Sequence, residues 1–246
     1  MNYHNLKNAF LKIKTRFLNL IFPIECLGCG RENFWLCPEC LDRIKYQRVN
    51  RCVVCKELAT LGQTHNNCRE QTALDGVIVA AEWEDEVLQE AIHKYKYNFL
   101  TGMAEPLADI LIKKIKSESG WEHLMADKKI TLVPIPLHPR RLRWRGFNQA
   151  ELLAEKISQQ LGWEKEKFLL QRRRYTEPQA KLKKETRQEN LAGAFAITQK
   201  KEAINRERLI ILVDDVLTTG ATMNECARVL KQNGIKTVWG LALARG

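Results

Sequence analysis

Hydrophobic residues change their spacing several times along this chain, and each change marks a different kind of element. Leu6, Phe10, Ile13, Phe17 and Leu20 recur at helical intervals, with Lys7, Lys12, Lys14 and Arg16 set between them. The pattern predicts a basic amphipathic helix over residues 1–23, stopped by Pro23. Such a helix packs on its own protein, or docks on an anionic membrane surface or a partner, and the pattern leaves these open. Residues 24–70 have no sustained apolar run and are too few to hold a core alone. From residue 75 onward, strand-like and helix-like spacings alternate. Residues 76–81 (GVIVAA), 130–133 (ITLV), 209–213 (LIILV) and 237–244 read as strands. Helical spacing covers 86–97, 103–115, 148–161 and 223–233, the last ending at Gly234. A continuous apolar run such as 209–213 is buried on both faces in a parallel sheet. Residues 75–246 therefore predict an α/β domain, a central mostly parallel sheet flanked by helices. Between these elements, 137–145 reads as an arginine-rich loop and 171–190, polar and basic around Pro178, as a mobile one.

Composition adds two constraints. The 246 residues carry a net charge of +11, which favours anionic partners: nucleic acid, phosphorylated small molecules or an acidic membrane face. Seven of the eight cysteines fall between Cys26 and Cys68, and Cys226 stands alone, reading as a packing residue. An odd number crowded into one stretch argues against a disulfide framework. The start has lysines among its apolar positions and does not read as a secretory signal, and no run reaches transmembrane length. Cytoplasmic localisation is expected, where thiols stay reduced and available to metal.

The cysteines form knuckles. Cys26-x-x-Cys29 precedes Cys37-x-x-Cys40, and Cys52-x-x-Cys55 precedes His65-x-x-Cys68. Two short turns of this kind bring four ligands to about 2.3 Å from a tetrahedral zinc ion. Taken in order they make one four-cysteine site and one three-cysteine, one-histidine site, a double zinc ribbon over 24–70. Interleaved pairing, or a single filled site, is also compatible with the spacing. Four protein ligands leave no open position, so zinc here is structural.

The most specific chemistry lies in LIILVDDVLTTGATMNE, residues 209–225. An apolar strand meets two adjacent acids, then a Thr-Thr-Gly-Ala-Thr turn, then a helix. The turn and helix start offer unpaired N–H groups and a positive dipole end to a phosphate. Gly220 permits close backbone approach, and Thr218, Thr219 and Thr222 add hydroxyls beside Ala221. Asp214 and Asp215 suit a pair of ribose hydroxyls or a magnesium shell. The string closely resembles the 5-phosphoribosyl-1-pyrophosphate signature of type I phosphoribosyltransferases. That resemblance implies that Asp214 and Asp215 hold the ribose hydroxyls and that residues 218–222 wrap the 5-phosphate. Purine-using members of that superfamily often place an acid where this chain has Thr218, so purine salvage is not what the loop implies.

Cations for a pyrophosphate leaving group come from two stretches. Arg140, Arg141, Arg143 and Arg145 crowd the first, and Arg172, Arg173, Arg174, Lys181, Lys183, Lys184 and Arg187 the second. Interleaved with Trp144, Phe147 and Tyr175, the same arginines also suit single-stranded nucleic acid. RRLRWRGFNQAELLA, PQAKLKKETRQENLAGAF and LVDDVLTTGAT, with the cysteine module ahead of them, are similar to the ComF family. The resemblance runs from about residue 17 to the end. It implies a type I phosphoribosyltransferase fold with a small hood, and a part in DNA uptake during natural transformation, with incoming single strands and the uptake machinery as partners. It brings no settled acceptor. Two readings follow. In one, Asp214, Asp215 and Arg187 serve a phosphoribosyl transfer with magnesium on the diphosphate. In the other, the pocket binds or senses the activated sugar while the basic segments and zinc ribbon hold single-stranded DNA.

Overall fold

The computed structural model describes residues 23–98, 100–121, 128–175, 191–198 and 206–246. The amphipathic helix expected over 1–23 lies outside them save for Pro23, as do the 176–190 part of the expected mobile loop and Arg187. The chain divides into two compact units, one ending at Ile44 and the other running Lys45–Gly246. In the smaller unit a Glu25–Glu32 bridge closes the first knuckle, and the short helix α1 (Pro38–Arg43) carries Cys40. Arg31 and Glu39 pair across it at 2.6 Å.

The larger unit contains five parallel strands in the order β1-β7-β6-β2-β3: β1 (Gly76–Ala81), β2 (Ile130–Pro134), β3 (Glu164–Lys165), β6 (Leu209–Leu217) and β7 (Thr237–Arg245). A separate antiparallel pair, β4 (Leu170–Arg172) and β5 (Phe195–Ile197), lies beside them in sequence. The helices are α2 (Glu86–Tyr97), α3 (Ala104–Ser117), α4 (Pro139–Arg145), α5 (Gln149–Leu161) and α6 (Ala221–Gln232). Asp85 caps α2 by accepting from the Leu88 N–H at 2.9 Å, and Asn148 caps α5 by accepting from the Ala150 N–H. Helices α3 and α5 pack together against one face of the sheet, while α6 and the β4–β5 pair cover the other. Val77, Val79, Ile210, Leu212 and Val238 face α6 residues Met223, Cys226 and Leu230 in one core, which is why strands at the centre read as unbroken apolar runs.

Strand order decides where a ligand goes. After β2 the chain leads through α4 and α5 to β3 on one side; after β6 it leads through α6 to β7 on the other. Neighbouring strands whose exits diverge leave a crevice beyond their carboxyl ends. In this chain that crevice lies between residue 134 and residue 217 onward.

Two expectations change. Residues 139–145 are not a loop but α4, held by Pro139 in the first turn, by His138 accepting from the Arg140 N–H at 3.2 Å, and by Gly146 in the left-handed region at φ 76°. The strand expected to end at 213 continues to Leu217, because Asp214, Val216 and Leu217 pair with Ala242, Ala244 and Arg245 of β7.

The third knuckle, Cys52-x-x-Cys55, is built into this unit. Val53 belongs to the same core as Leu217 and Ala221, and a Cβ on Gly220 would sit 3.2 Å from its Cγ2. Asn224, in the first turn of α6, accepts from the Thr72 hydroxyl at 2.9 Å and from the Ala73 N–H at 2.7 Å.

Candidate functional site

The crevice is a cavity of about 890 Å³, large enough for a nucleotide-sized ligand. Strand β6 supplies Asp214 and Asp215 to its wall, and the turn into α6 supplies Thr218, Gly220 and Thr222. Gly220 caps α6 with φ 80°, a conformation open to glycine and strained for other residues. The Thr219 hydroxyl accepts from the Ala221 N–H at 3.3 Å.

Helix formation at α4 sorts the four arginines. Arg141 and Arg145 stand one turn apart and both line the cavity, whereas Arg140 and Arg143 are exposed and outside it. Arg145 donates to the Gln149 side-chain oxygen at 2.8 Å, and burial lowers its pKa. Arg172, expected in a mobile stretch, is a buried residue of β4 that reaches the cavity wall, and burial lowers its pKa too.

Lys96, near the end of α2, was not singled out by the sequence. Its ammonium pairs with Asp215 at 2.8 Å. Burial works to lower the Lys96 pKa, but the Asp215 charge and hydrogen bond outweigh it and the net shift is upward. Asp214 accepts from the Asp215 N–H at 2.9 Å, yet burial first, and the Asp215 charge second, push its carboxyl up to about 7. Helical periodicity marks Lys96 as one of two lysines in a basic last turn; only the tertiary docking of α2 distinguishes it. That docking is specific: the Tyr95 hydroxyl donates to the Gln149 carbonyl at 2.9 Å, and its ring lies 5.7 Å from Phe147.

Aromatic and cationic groups alternate around the mouth. Tyr97 lies 6.5 Å from Trp144, with the Arg145 guanidinium 5.6 Å from the Tyr97 ring centre. Tyr175 has Arg140 at 5.1 Å and Arg141 at 5.7 Å.

The cysteine ligands group in chain order. Cys26, Cys29, Cys37 and Cys40 form one cluster and Cys52, Cys55, His65 and Cys68 the other, the ligand atoms of each lying within 4.8 Å of one another. Both sets can hold a metal ion. Cys26 Sγ accepts from the Cys37 N–H at 3.2 Å, and although burial pushes upward, N–H groups of the knuckle hold this thiol down at about 6. Cys52 is likewise held at about 6, while burial and neighbouring sulfurs raise Cys40 to about 12 and Cys68 to about 11. Four sulfurs in the first cluster and three in the second, this close together, resist sharing negative charge, and a divalent cation removes that conflict. His65 fits the same role. Its Nε2 lies 3.0 Å from the Leu58 carbonyl, which only accepts, so Nε2 carries the hydrogen and Nδ1, 3.3 Å from Cys55 Sγ, offers its lone pair. Among the described residues no helix is long and apolar enough to cross a membrane.

Residues 148–244 match the family model described as a phosphoribosyl transferase domain. Competence protein F of Haemophilus influenzae is 30% identical over 232 residues, covering 91% of this chain and 98% of its own. DNA utilization protein YhgH of Salmonella typhi is 32% identical over 231 residues, covering 92% and 99% respectively. Competence protein ComFC of Streptococcus pneumoniae is 29% identical over 217 residues, covering 88% and 82%. With the cysteine clusters, the parallel sheet and the acid-acid-turn all in place along that shared length, the chain belongs to the ComF family of competence proteins, carrying a phosphoribosyltransferase domain.

Proposed function

We propose that this protein binds 5-phosphoribosyl-1-pyrophosphate with magnesium in the crevice between β2 and β6, and acts in the handling of DNA taken up by the cell. One observation carries the first half: the acid pair of β6, the turn residues Thr218, Gly220 and Thr222 and the cations Lys96, Arg141, Arg145 and Arg172 share one cavity. Asp214 and Asp215 take the ribose hydroxyls, the turn and the α6 N-terminus take the 5-phosphate, and magnesium and the arginines take the diphosphate. Arg187 adds to that set in this reading, from outside the described residues. In this reading the cysteine clusters hold structural zinc in a ribbon over 24–70, ahead of a phosphoribosyltransferase-like domain over 75–246, and a cytoplasmic location, where thiols stay reduced, suits such metal-binding clusters. Calorimetry with the magnesium-loaded activated sugar tests the ligand: wild type releases heat and Asp215→Ala does not. No heat from a folded, zinc-loaded sample overturns it.

The second half rests on the relatives' names, which speak of competence and DNA utilization, and on the aromatic and arginine rim. Exposed rings between guanidinium groups stack bases and neutralise the backbone of a single strand. Single-stranded DNA should bind with a steep salt dependence and more tightly than duplex. Equal affinity for duplex counts against it. An enzyme in nucleotide or cofactor metabolism is the competing reading, favoured by the same cavity; it requires pyrophosphate release with a base or amine acceptor.

A further inference from the structure

We propose that Lys96 is a diphosphate-binding residue, held in place by Asp215 and acting with Arg145 and Gln149 on the same ligand oxygens. The inference rests on the phosphoribosyl reading of the cavity and extends it to a helix outside the signature motif. An ammonium has three N–H donors. One lies 2.8 Å from Asp215 Oδ1, and Lys96 lines the cavity, so its remaining donors are available to a ligand.

What surrounds Lys96 selects an anion. Among the described residues, Arg145 Nε and Gln149 Nε2 are buried donors that find no acceptor, and Gln149 is only 2% exposed. Both residues line the same cavity as Lys96. Buried donors left unmatched are costly, and two of them near a lysine call for an acceptor-rich group. Charge leads to the same conclusion. Lys96, Arg145 and Arg172 all act electrostatically on Asp214 or Asp215, and Arg141 lines the wall beside them. Four cations against two acids, one of them inclined to stay protonated, leave a positive surplus. The other acids on the wall, Glu86 and Glu90, sit at the far end of α2, Glu90 six residues or about 9 Å along the helix from Lys96. Glu90 is paired with Lys94 at 2.9 Å. Tyr95, bonded to the Gln149 carbonyl, fixes the position of its neighbour Lys96 relative to that cluster.

The test compares three ligands in the presence of magnesium: 5-phosphoribosyl-1-pyrophosphate, inorganic pyrophosphate and ribose 5-phosphate. On the full chain, Lys96→Met should weaken the two diphosphate ligands by about tenfold to a hundredfold, the range for a lost charge-assisted hydrogen bond. Ribose 5-phosphate, which lacks the diphosphate, should change by no more than about twofold. Lys96→Arg, which keeps the charge, should recover much of the loss. A melting curve and the retained ribose 5-phosphate binding show that the variant is folded. If all three ligands weaken equally, or none does, Lys96 does not meet the diphosphate and the proposal falls. If wild type binds none of the three, it is the phosphoribosyl reading itself that fails.

Discussion

Gly220→Ala perturbs the phosphate turn by a single methyl group, and the structure says how much that should cost. Gly220 holds φ 80° and ψ −2° as the N-cap of α6. Forcing an L-residue into that region costs roughly 1–2 kcal/mol. Reduced freedom of the unfolded chain returns about 0.4–1 kcal/mol. The new Cβ would stand 3.2 Å from Val53 Cγ2 and 3.6 Å from Leu217 Cδ1, the first of these closer than comfortable contact. Val53 is only 6% exposed and has little room to retreat. Over-packing by a single methyl group adds about 1 kcal/mol, so the net destabilisation should be about 1–2.5 kcal/mol. Urea unfolding followed by circular dichroism should show a lower midpoint at unchanged slope. The backbone and steric parts can be separated, because Val53→Ala removes only the second. A double-mutant cycle should give a coupling of about 0.5 kcal/mol in favour of the double variant, with the left-handed cost remaining. Wild-type stability in Gly220→Ala would show that the turn does not need glycine geometry. A coupling of zero would show that the knuckle and the turn do not touch.

Two further predictions follow from the carboxyl pair and the second cluster. Asp214 is held at about 7, against an ordinary 3.8, by burial and the Asp215 charge, so its folded form retains the proton where the unfolded chain has lost it. Its stabilising contribution is full below about pH 4 and is lost as pH rises through about 7; stability curves for wild type and Asp214→Asn should converge toward acid, separate between about pH 4 and 7 and run parallel above that, and curves that stay parallel across that window would refute this. Chelation, or Cys52→Ser, should remove metal from the second cluster and weaken hydrogen-exchange protection through α6 and the Gly220 turn, since Val53 and the Thr72–Asn224 bond lean on both. Loss of protection confined to residues 45–75 would separate the cluster from the turn.

Much of this was legible in the chain itself, for reasons that also explain what was not. The 76–81 and 209–213 runs read as buried strands because their hydrophobicity is continuous, and both lie in the parallel sheet. The acid pair and the Thr-Thr-Gly-Ala-Thr turn carry chemistry within ten residues, so their meeting at one wall needed no knowledge of the fold. Helix α4 was hidden because its apolar residues, Leu142 and Trp144, are exposed and it has no buried face. Its caps, not its periodicity, define it. The last residues of β6 were hidden because Asp214 and Asp215 are poor strand formers that pairing with β7 overrides. Lys96 and Arg172 reach the cavity only through the docking of α2 and the β4–β5 pair, contacts between residues far apart in sequence.

The bond that ties Asn224 to Thr72 and Ala73 spans more than half the chain, and it constrains how these sequences can drift. A side chain at 224 must offer two acceptor lone pairs within one short reach; aspartate could do so, leucine or lysine could not. Among family members, then, substitution at 224 should track substitution at 72, two positions that no local reading of the sequence would link.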